Sequence, residues 1–268
     1  MKTREWTFGI ANLALKLVGP DNWLSPLASA WAPWHTAAGD SQPWNLVINM
    51  DAALAVPEAP LFAVEPHCRG GMCILEAPGY KVQIDAGSIY GEMVAHPEAQ
   101  VADVGYFLRV AVALCAFTHR AMLFHAACVV HHEKGYLLFG LSGSGKTTAS
   151  LLSAPDQVLN DDLLLLWPVE GGWDVYGTPF GKRRGSRMVA PLQAALRLVQ
   201  DTDVYLEPLS KGRALTELVA NSPIVSADRV WLPELMERWM QFMDQVPVQA
   251  LHFKKDPSFW EVIDAQWK

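Results

Sequence analysis

Hydrophobic residues follow two different periods in the first hundred residues. Alternating patterns at residues 45–50 and 80–84 predict half-buried strands, and Gly-Gly at 70–71 and Pro-Gly at 78–79 predict turns. A helical period begins after Asp21 and breaks near Pro33, with apolar positions at Trp23, Leu27, Trp31 and Trp34. We expect these residues to pack in a core, with a peptide-docking surface as the alternative. Residues 1–100 are thus predicted to form an α+β region, whose role the pattern leaves open.

The pattern changes in the second part of the chain. Residues 101–119 have a helical period with apolar positions at Val104, Phe107, Leu108, Ala111, Val112 and Cys115. Residues 123–130 and 136–139 predict two strands of a hairpin around a turn at 131–135. If residue 130 faces residue 135, the register continues to place His125 beside Gly140. The alternative is that His125 is an ordinary core histidine.

Residues 140–147 fill every position of the phosphate-binding loop, or Walker A, motif with the sequence Gly-Leu-Ser-Gly-Ser-Gly-Lys-Thr. The segment follows a strand pattern and precedes a buried helical pattern, as the motif requires. We expect the loop N–H groups and Lys146 to contact nucleotide phosphates and Thr147 to bind Mg²⁺. A glycine-rich turn without ligand is the alternative. The predicted nucleotide-binding residues are Gly140, Ser142, Gly143, Ser144, Gly145, Lys146, Thr147 and Thr148.

Asp161 and Asp162 stand directly before the apolar run 163–167, which is typical of a strand buried on both faces. Carboxylates at such a position after a phosphate loop are expected to hold Mg²⁺ or to accept a proton. We therefore predict both aspartates to be catalytic and Asp162 to share a metal with Thr147. Neighbours in extended backbone point to opposite faces, so which aspartate is the base stays open. The structural alternative is a helix or turn cap.

A rigid turn is predicted at residues 177–181, and a basic cluster follows it. Such a cluster can contact phosphate or an acidic peptide through arginine forks, with a solvated surface loop as the alternative. Its members are Lys182, Arg183, Arg184 and Arg187.

Composition narrows the classes of function. The chain has 268 residues, 51% of them hydrophobic, and its formal charge of −7 argues against a nucleic-acid-binding protein. No signal peptide or membrane span is predicted, so we expect a cytoplasmic protein without a membrane partner. Cysteines 68 and 73 lack the paired spacing of a zinc site, and we expect an ordinary turn between them in a reducing compartment.

Three segments resemble the catalytic domain of HPr kinase/phosphorylase: Leu-Phe-His-Ala-Ala at 123–127, the strand and loop at 135–147, and Leu-Asn-Asp-Asp at 159–162. Residues 190–194 and 253–263 are similar to the divergent branch of HPr kinase-related proteins. The resemblance covers roughly residues 120–268. It implies an α/β chain with a P-loop kinase domain akin to phosphoenolpyruvate carboxykinase and with a mixed central sheet. We assign residues 101–268 to this domain, because the hydrophobic pattern changes at residue 101. The resemblance also implies ATP and Mg²⁺ as cofactors, His125 near the reacting phosphate, and a homo-oligomer.

The chain also departs from the family. The bifunctional members carry a glutamate and an arginine-glycine signature after the paired aspartates, where this chain has residues 177–180 and the basic cluster. Phosphorylase activity and HPr as the substrate are therefore not carried over. Relatives in the divergent branch include kinases that phosphorylate a serine of a lasso-peptide precursor. The resemblance thus implies transfer of the γ-phosphate of ATP to the hydroxyl of a serine in a peptide or small protein. The alternatives are a small-molecule kinase and a non-catalytic ATP-binding regulatory or scaffold module.

Overall fold

The chain is an α/β protein with mixed sheets, described by a computed structural model for residues 2–36, 42–153, 158–181 and 186–267. It divides into two compact units. The first contains Met1–His119 and Ile224–Pro233, and the second contains Arg120–Pro223 and Glu234–Lys268. The division thus lies after His119, whereas the sequence pattern placed it after residue 100.

A seven-stranded sheet forms most of the first unit, with the spatial order β1-β2-β3-β7-β6-β5-β4. Strand β3 is parallel to β2 and to β7, and the other neighbours are antiparallel. The strands and turns predicted around residues 45–50, 70–71, 78–79 and 80–84 are confirmed. The strands are β1 (Thr3–Ile10), β2 (Leu13–Pro20), β3 (Trp44–Met50), β4 (His67–Arg69), β5 (Met72–Ala77), β6 (Tyr80–Asp85) and β7 (Tyr90–Ala95).

Helix α1 (Asp21–Ala30) starts where the sequence predicted a helix, and a short 3-10 turn follows at Ala32–Trp34. The four periodic apolar positions of this stretch are buried, so the core interpretation is confirmed and the docking-surface alternative is wrong. The buried side chains are Trp23, Leu27, Trp31 and Trp34.

Helix α2 (Val101–Thr118) is the long apolar helix expected from the sequence. By length and composition it could cross a membrane, but 67% of that span is buried inside the structure, as in the core helix of a globular protein. It packs against α1 and β7, which explains why the division between units falls after it.

Cys68 and Cys73 form a disulfide across the β4–β5 hairpin. The expectation of reduced cysteines around this turn is therefore wrong. The disulfide can form because the hairpin register places the two cysteines directly opposite each other. Cys115 and Cys128 are buried thiols, and burial raises the pKa of both, which agrees with the inert role expected for them.

Asp228 connects two segments of the first unit that are far apart in sequence. Its buried carboxylate accepts hydrogen bonds from the N–H groups of Gly70, Gly71 and Val230, each at 2.9 Å, and of Trp231 at 3.2 Å. Burial alone would raise the pKa of this carboxyl, but the backbone donors outweigh it and lower the pKa. The charged form is therefore the one that the fold stabilises.

We expect Asp228→Asn to lower the free energy of unfolding at pH 7 by about 1–3 kcal/mol, because the amide nitrogen would face an N–H donor. A depressed pKa in the folded state stabilises the fold above the unfolded pKa of about 3.9, and this stability is lost as the pH falls through the folded value. The difference between wild type and variant should therefore shrink below pH 4. Urea unfolding at several pH values measures this difference in the free energy of unfolding.

Asp51→Asn is the control for Asp228→Asn, since Asp51 also accepts a backbone hydrogen bond but is exposed. An equal loss in both variants would contradict the role of Asp228.

A nine-stranded mixed sheet organises the second unit. Its main order is β11-β9-β10-β14-β13-β12-β8, with β16 parallel to β14 and β15 antiparallel to β16. The strands are β8 (Met122–His125), β9 (Ala127–His131), β10 (Lys134–Phe139), β11 (Val158–Asn160), β12 (Leu163–Val169), β13 (Gly172–Gly177), β14 (Val189–Gln200), β15 (Tyr205–Pro208) and β16 (Val248–Phe253). The helices are α3 (Lys146–Leu152), α4 (Lys211–Ala220), most of α5 (Leu232–Gln245), and α6 (Phe259–Gln266).

The predicted hairpin is confirmed in register but not in length. Val130 faces Gly135, and the same register continues to Ala127 opposite Leu138. The strand expected over 123–130 then breaks at Ala126, whose N–H donates to the carbonyl of Asp162 at 3.1 Å. Residues before the break form β8, which pairs with β12 instead of β10.

Candidate functional site

A cavity of about 750 Å³ lies in the second unit and contains most of the predicted site residues. This volume is within the range of roughly 300–1,000 Å³ that is usual for small-molecule sites. Ser144 is not among the lining residues, and its hydroxyl is buried. The cavity is lined by His125, Gly140, Leu141, Ser142, Gly143, Gly145, Lys146, Thr147, Thr148, Asp161, Asp162, Gln200, Ala220, Asn221, Pro223 and Lys255.

The phosphate-loop motif forms a tight connection between buried β10 and α3. Gly140, Gly143 and Gly145 have φ angles of +141°, +81° and +104°, which residues with a side chain rarely adopt. A Cβ at Gly145 would also lie 2.6 Å from the ring of Phe253. The Gln200 side chain donates to the carbonyl of Gly143 at 2.7 Å. The glycines therefore serve the backbone curl that the motif predicted.

Lys146 folds back over this loop. Its Nζ donates to the carbonyls of Gly140 at 2.7 Å and Leu141 at 3.2 Å. Burial lowers the pKa of the ammonium, and the negative charge of Asp162 opposes this shift. A polyphosphate in the cavity would offer the ammonium stronger, charged acceptors than these neutral carbonyls.

His125 and Asp162 meet at the cavity wall. Nδ1 of His125 lies 3.5 Å from Oδ1 of Asp162. The backbone holds both residues, because the His125 N–H donates to Asn221 O at 2.8 Å and Asp162 O accepts from Ala126. His125 thus lines the same cavity as Gly140, as expected, but through the β8–β12 pairing and not through an extended hairpin.

The two aspartates form the connection between β11 and β12. The chain bends there, so both line the cavity despite being neighbours. Asn160 stabilises this bend, because its Oδ1 accepts a hydrogen bond from the Asp162 N–H at 2.8 Å. The Asn160 amide donates to the carbonyls of Thr178 and Phe180, each at 2.8 Å. The Thr178 hydroxyl donates in turn to Leu163 O at 2.7 Å, completing a buried polar network.

The turn at 177–181 is packed inside the unit. Thr178 and Phe180 are buried, and a Cβ on Gly177 would overlap the carbonyl of Ser186. The basic residues Lys182, Arg183 and Arg184 lie outside the described residues. Arg187 is exposed and does not line the cavity, so the structure does not bring it to the predicted site.

Sequence reasoning missed several residues of the site. Asn160 could have been found, because it is a polar residue between apolar strand patterns and directly precedes the aspartates. Gln200, Asn221 and Lys255 carry no comparable signal, because they come from the end of β14, the end of α4 and the segment after β16.

The groups present fit a nucleotide with a hard cation. The loop has the glycine conformations of an anion cradle, and Lys146 supplies a positive charge beside it. Thr147, Asp161 and Asp162 offer the oxygen ligands that Mg²⁺ prefers. No protein-family model matches the chain, and no curated protein matches it in sequence.

Proposed function

We propose that the protein is an ATP-dependent kinase that transfers the γ-phosphate to the hydroxyl of a serine in a peptide or small protein. One observation carries the proposal: a single cavity brings together a phosphate loop, its lysine and a histidine–aspartate pair. A site that only binds a nucleotide needs the first two, but has no need of a base. The proposed fold type is the HPr kinase-like P-loop domain, supported by the motifs at 123–127, 135–147 and 159–162.

The loop N–H groups and Lys146 would hold the β- and γ-phosphates of ATP. Thr147 and one of the paired aspartates would hold Mg²⁺, which supplies neutralisation of the phosphate charge when bound. These residues position the phosphate and stabilise the charge that spreads over its oxygens.

Asp162 is the better placed of the two aspartates to act as the base. Its carboxylate contacts His125, and its charge acts on Lys146 beside the phosphate loop. It would take the proton of the acceptor hydroxyl while the hydroxyl oxygen bonds to the γ-phosphorus. The bond between that phosphorus and the β–γ bridging oxygen breaks, and ADP leaves with the electron pair. Asp161 is then proposed as the metal-binding aspartate, which revises the sequence prediction that Asp162 shares the metal with Thr147.

Substitution of each aspartate separates these roles. We expect Asp162→Asn and Asp161→Asn each to reduce transfer from γ-labelled ATP to serine-containing peptides by about 100-fold or more. Raising the Mg²⁺ concentration should restore part of the rate in Asp161→Asn, because a lost ligand weakens metal binding. It should not restore Asp162→Asn, which lacks the base.

The matched control is Asp174→Asn, a half-buried aspartate on β13 that does not line the cavity. We expect its rate to equal that of wild type. Undiminished transfer in both cavity variants would overturn the proposal. ATP binding without transfer to any acceptor would favour a regulatory module, and transfer to metabolites alone would favour a small-molecule kinase.

A further inference from the structure

A second group of metal-ligating side chains lies in the second unit, apart from the residues of the cavity. Nε2 of His131 lies 2.8 Å from Oδ1 of Asp264, and Nε2 of His132 lies 3.8 Å from the same oxygen. The three candidate ligand atoms all fall within 4.8 Å of one another. None of these residues takes part in the proposed phosphate transfer.

The local backbone explains why two adjacent histidines face the same carboxylate. His131 is the last residue of β9, and His132 begins the two-residue turn to β10. Neighbours in a regular strand point to opposite faces, but His132 and Glu133 have φ angles of +47° and +63°. This turn re-aims the second imidazole, so that the two ring centroids lie only 4.1 Å apart.

Helix α6 supplies the opposite side of the group. The ring of Trp260 stacks on His131 with a centroid distance of 4.3 Å, and Asp264 follows one helical turn later on the same face. Phe259 and Ile263 anchor this helix in the core of the unit. The imidazole of His131 is thus fixed by packing, whereas that of His132 is exposed and accessible to solvent.

We propose that His131, His132 and Asp264 bind a first-row transition metal ion, with Zn²⁺ as the natural candidate. Zinc–ligand bonds of about 2.0–2.1 Å in a tetrahedron place neighbouring ligand atoms about 3.3 Å apart. The two His–Asp264 distances of 2.8 and 3.8 Å bracket this value, and the two histidine ligand atoms lie within 4.8 Å of each other, so rotation of the exposed His132 side chain would bring the three ligands into range. Two imidazoles and one carboxylate suit Zn²⁺, Co²⁺ or Ni²⁺ and do not suit Mg²⁺, which prefers oxygen ligands. Water completes the coordination.

Such an ion would link the β9–β10 turn to α6. The turn leads into β10, which ends at the phosphate loop, and β9 begins two residues after His125. The metal would therefore stabilise the hairpin that carries the proposed active site from its opposite end. Its ligands do not line the cavity, so it would act on the stability of the hairpin and not in the proposed phosphate transfer.

The test is a titration of the full chain with Zn²⁺ and with Co²⁺. Binding is measured by calorimetry for both ions and by visible absorption for Co²⁺. Excess Mg²⁺ occupies the proposed nucleotide site, and thiol reductant is left out so that the disulfide stays closed. We expect one tight site, the strong visible bands of low-coordinate Co²⁺, and a melting temperature raised by roughly 5 °C or more at saturating Zn²⁺.

Two variants test the ligands individually. We expect His132→Asn and Asp264→Asn each to weaken binding by about 10- to 100-fold or more and to remove the thermal shift. Asn tolerates the left-handed backbone at position 132, so the turn should be retained. The control is His67→Asn, an exposed histidine of the first unit, which should bind as wild type does. Unchanged binding in both ligand variants, or a wild type without a tight site, would overturn the proposal.

Discussion

Replacing Lys146 by methionine should reduce phosphate transfer by about 100- to 1,000-fold, as expected for loss of a charged group that stabilises the transferring phosphoryl group. The protein should remain folded. Burial lowers the pKa of Lys146, which means that the fold disfavours its charge, and methionine has no charge to desolvate. We therefore expect little net change in the free energy of unfolding, because removal of a partly desolvated charge offsets the loss of the donor to the Gly140 and Leu141 carbonyls. Rates with labelled ATP, together with urea unfolding, measure the two effects separately.

Lys211→Met is the matched control, because Lys211 is exposed and forms a surface ion pair with Asp244. Its transfer rate and stability should stay within experimental error of wild type. Lys146→Arg should not rescue the activity, since a planar guanidinium cannot reproduce a compact ammonium held against two loop carbonyls. A fully active Lys146→Met protein would refute the assigned role of the phosphate loop.

Replacing Asn160 by leucine should destabilise the second unit by about 3 kcal/mol, because buried polar groups that lose their partners each cost about 1–3 kcal/mol. The orphaned groups would be the carbonyls of Thr178 and Phe180 and the N–H of Asp162. The last of these fixes the chain bend that turns both aspartates to the cavity. We therefore expect transfer to fall at least tenfold even at temperatures where the variant is folded, measured by rates alongside thermal unfolding.

Asn45→Leu is the control for this change, since it makes the same replacement at an exposed position of β3. If Asn160→Leu does not fold, Thr178→Val tests the same network more gently, because it removes the hydroxyl that donates to Leu163. Full stability and activity in Thr178→Val would show that the network does not hold the aspartates.

The parts of the site that could be predicted from the sequence are those encoded within one short segment. The phosphate loop needs glycine at fixed positions, and the structure gives all three of its glycines left-handed φ angles. The hairpin register could be predicted because a short turn fixes which residues face each other. Both features depend on local backbone geometry.

The parts that could not be predicted depend on which distant strands become neighbours. The break at Ala126 arises because β8 pairs with β12, about forty residues further along the chain. Gln200 and Asn221 reach the cavity only because β14 and α4 end there. The Cys68–Cys73 disulfide is an intermediate case: the turn was predicted, but the opposition of the two cysteines required the register of β4 with β5.

The path of the chain through the two units limits how the protein can be dissected. The first unit is completed by Ile224–Pro233, a ten-residue excursion from within the second unit's sequence. A polypeptide ending at residue 119 would lack Asp228 and leave the N–H groups of Gly70 and Gly71 without their acceptor. Removal of the first 119 residues would leave residues 224–233 without the rest of the unit against which they pack. A fragment that retains the phosphate loop without the first unit therefore has to be redesigned at residues 224–233, and an ordinary N-terminal deletion is the wrong design.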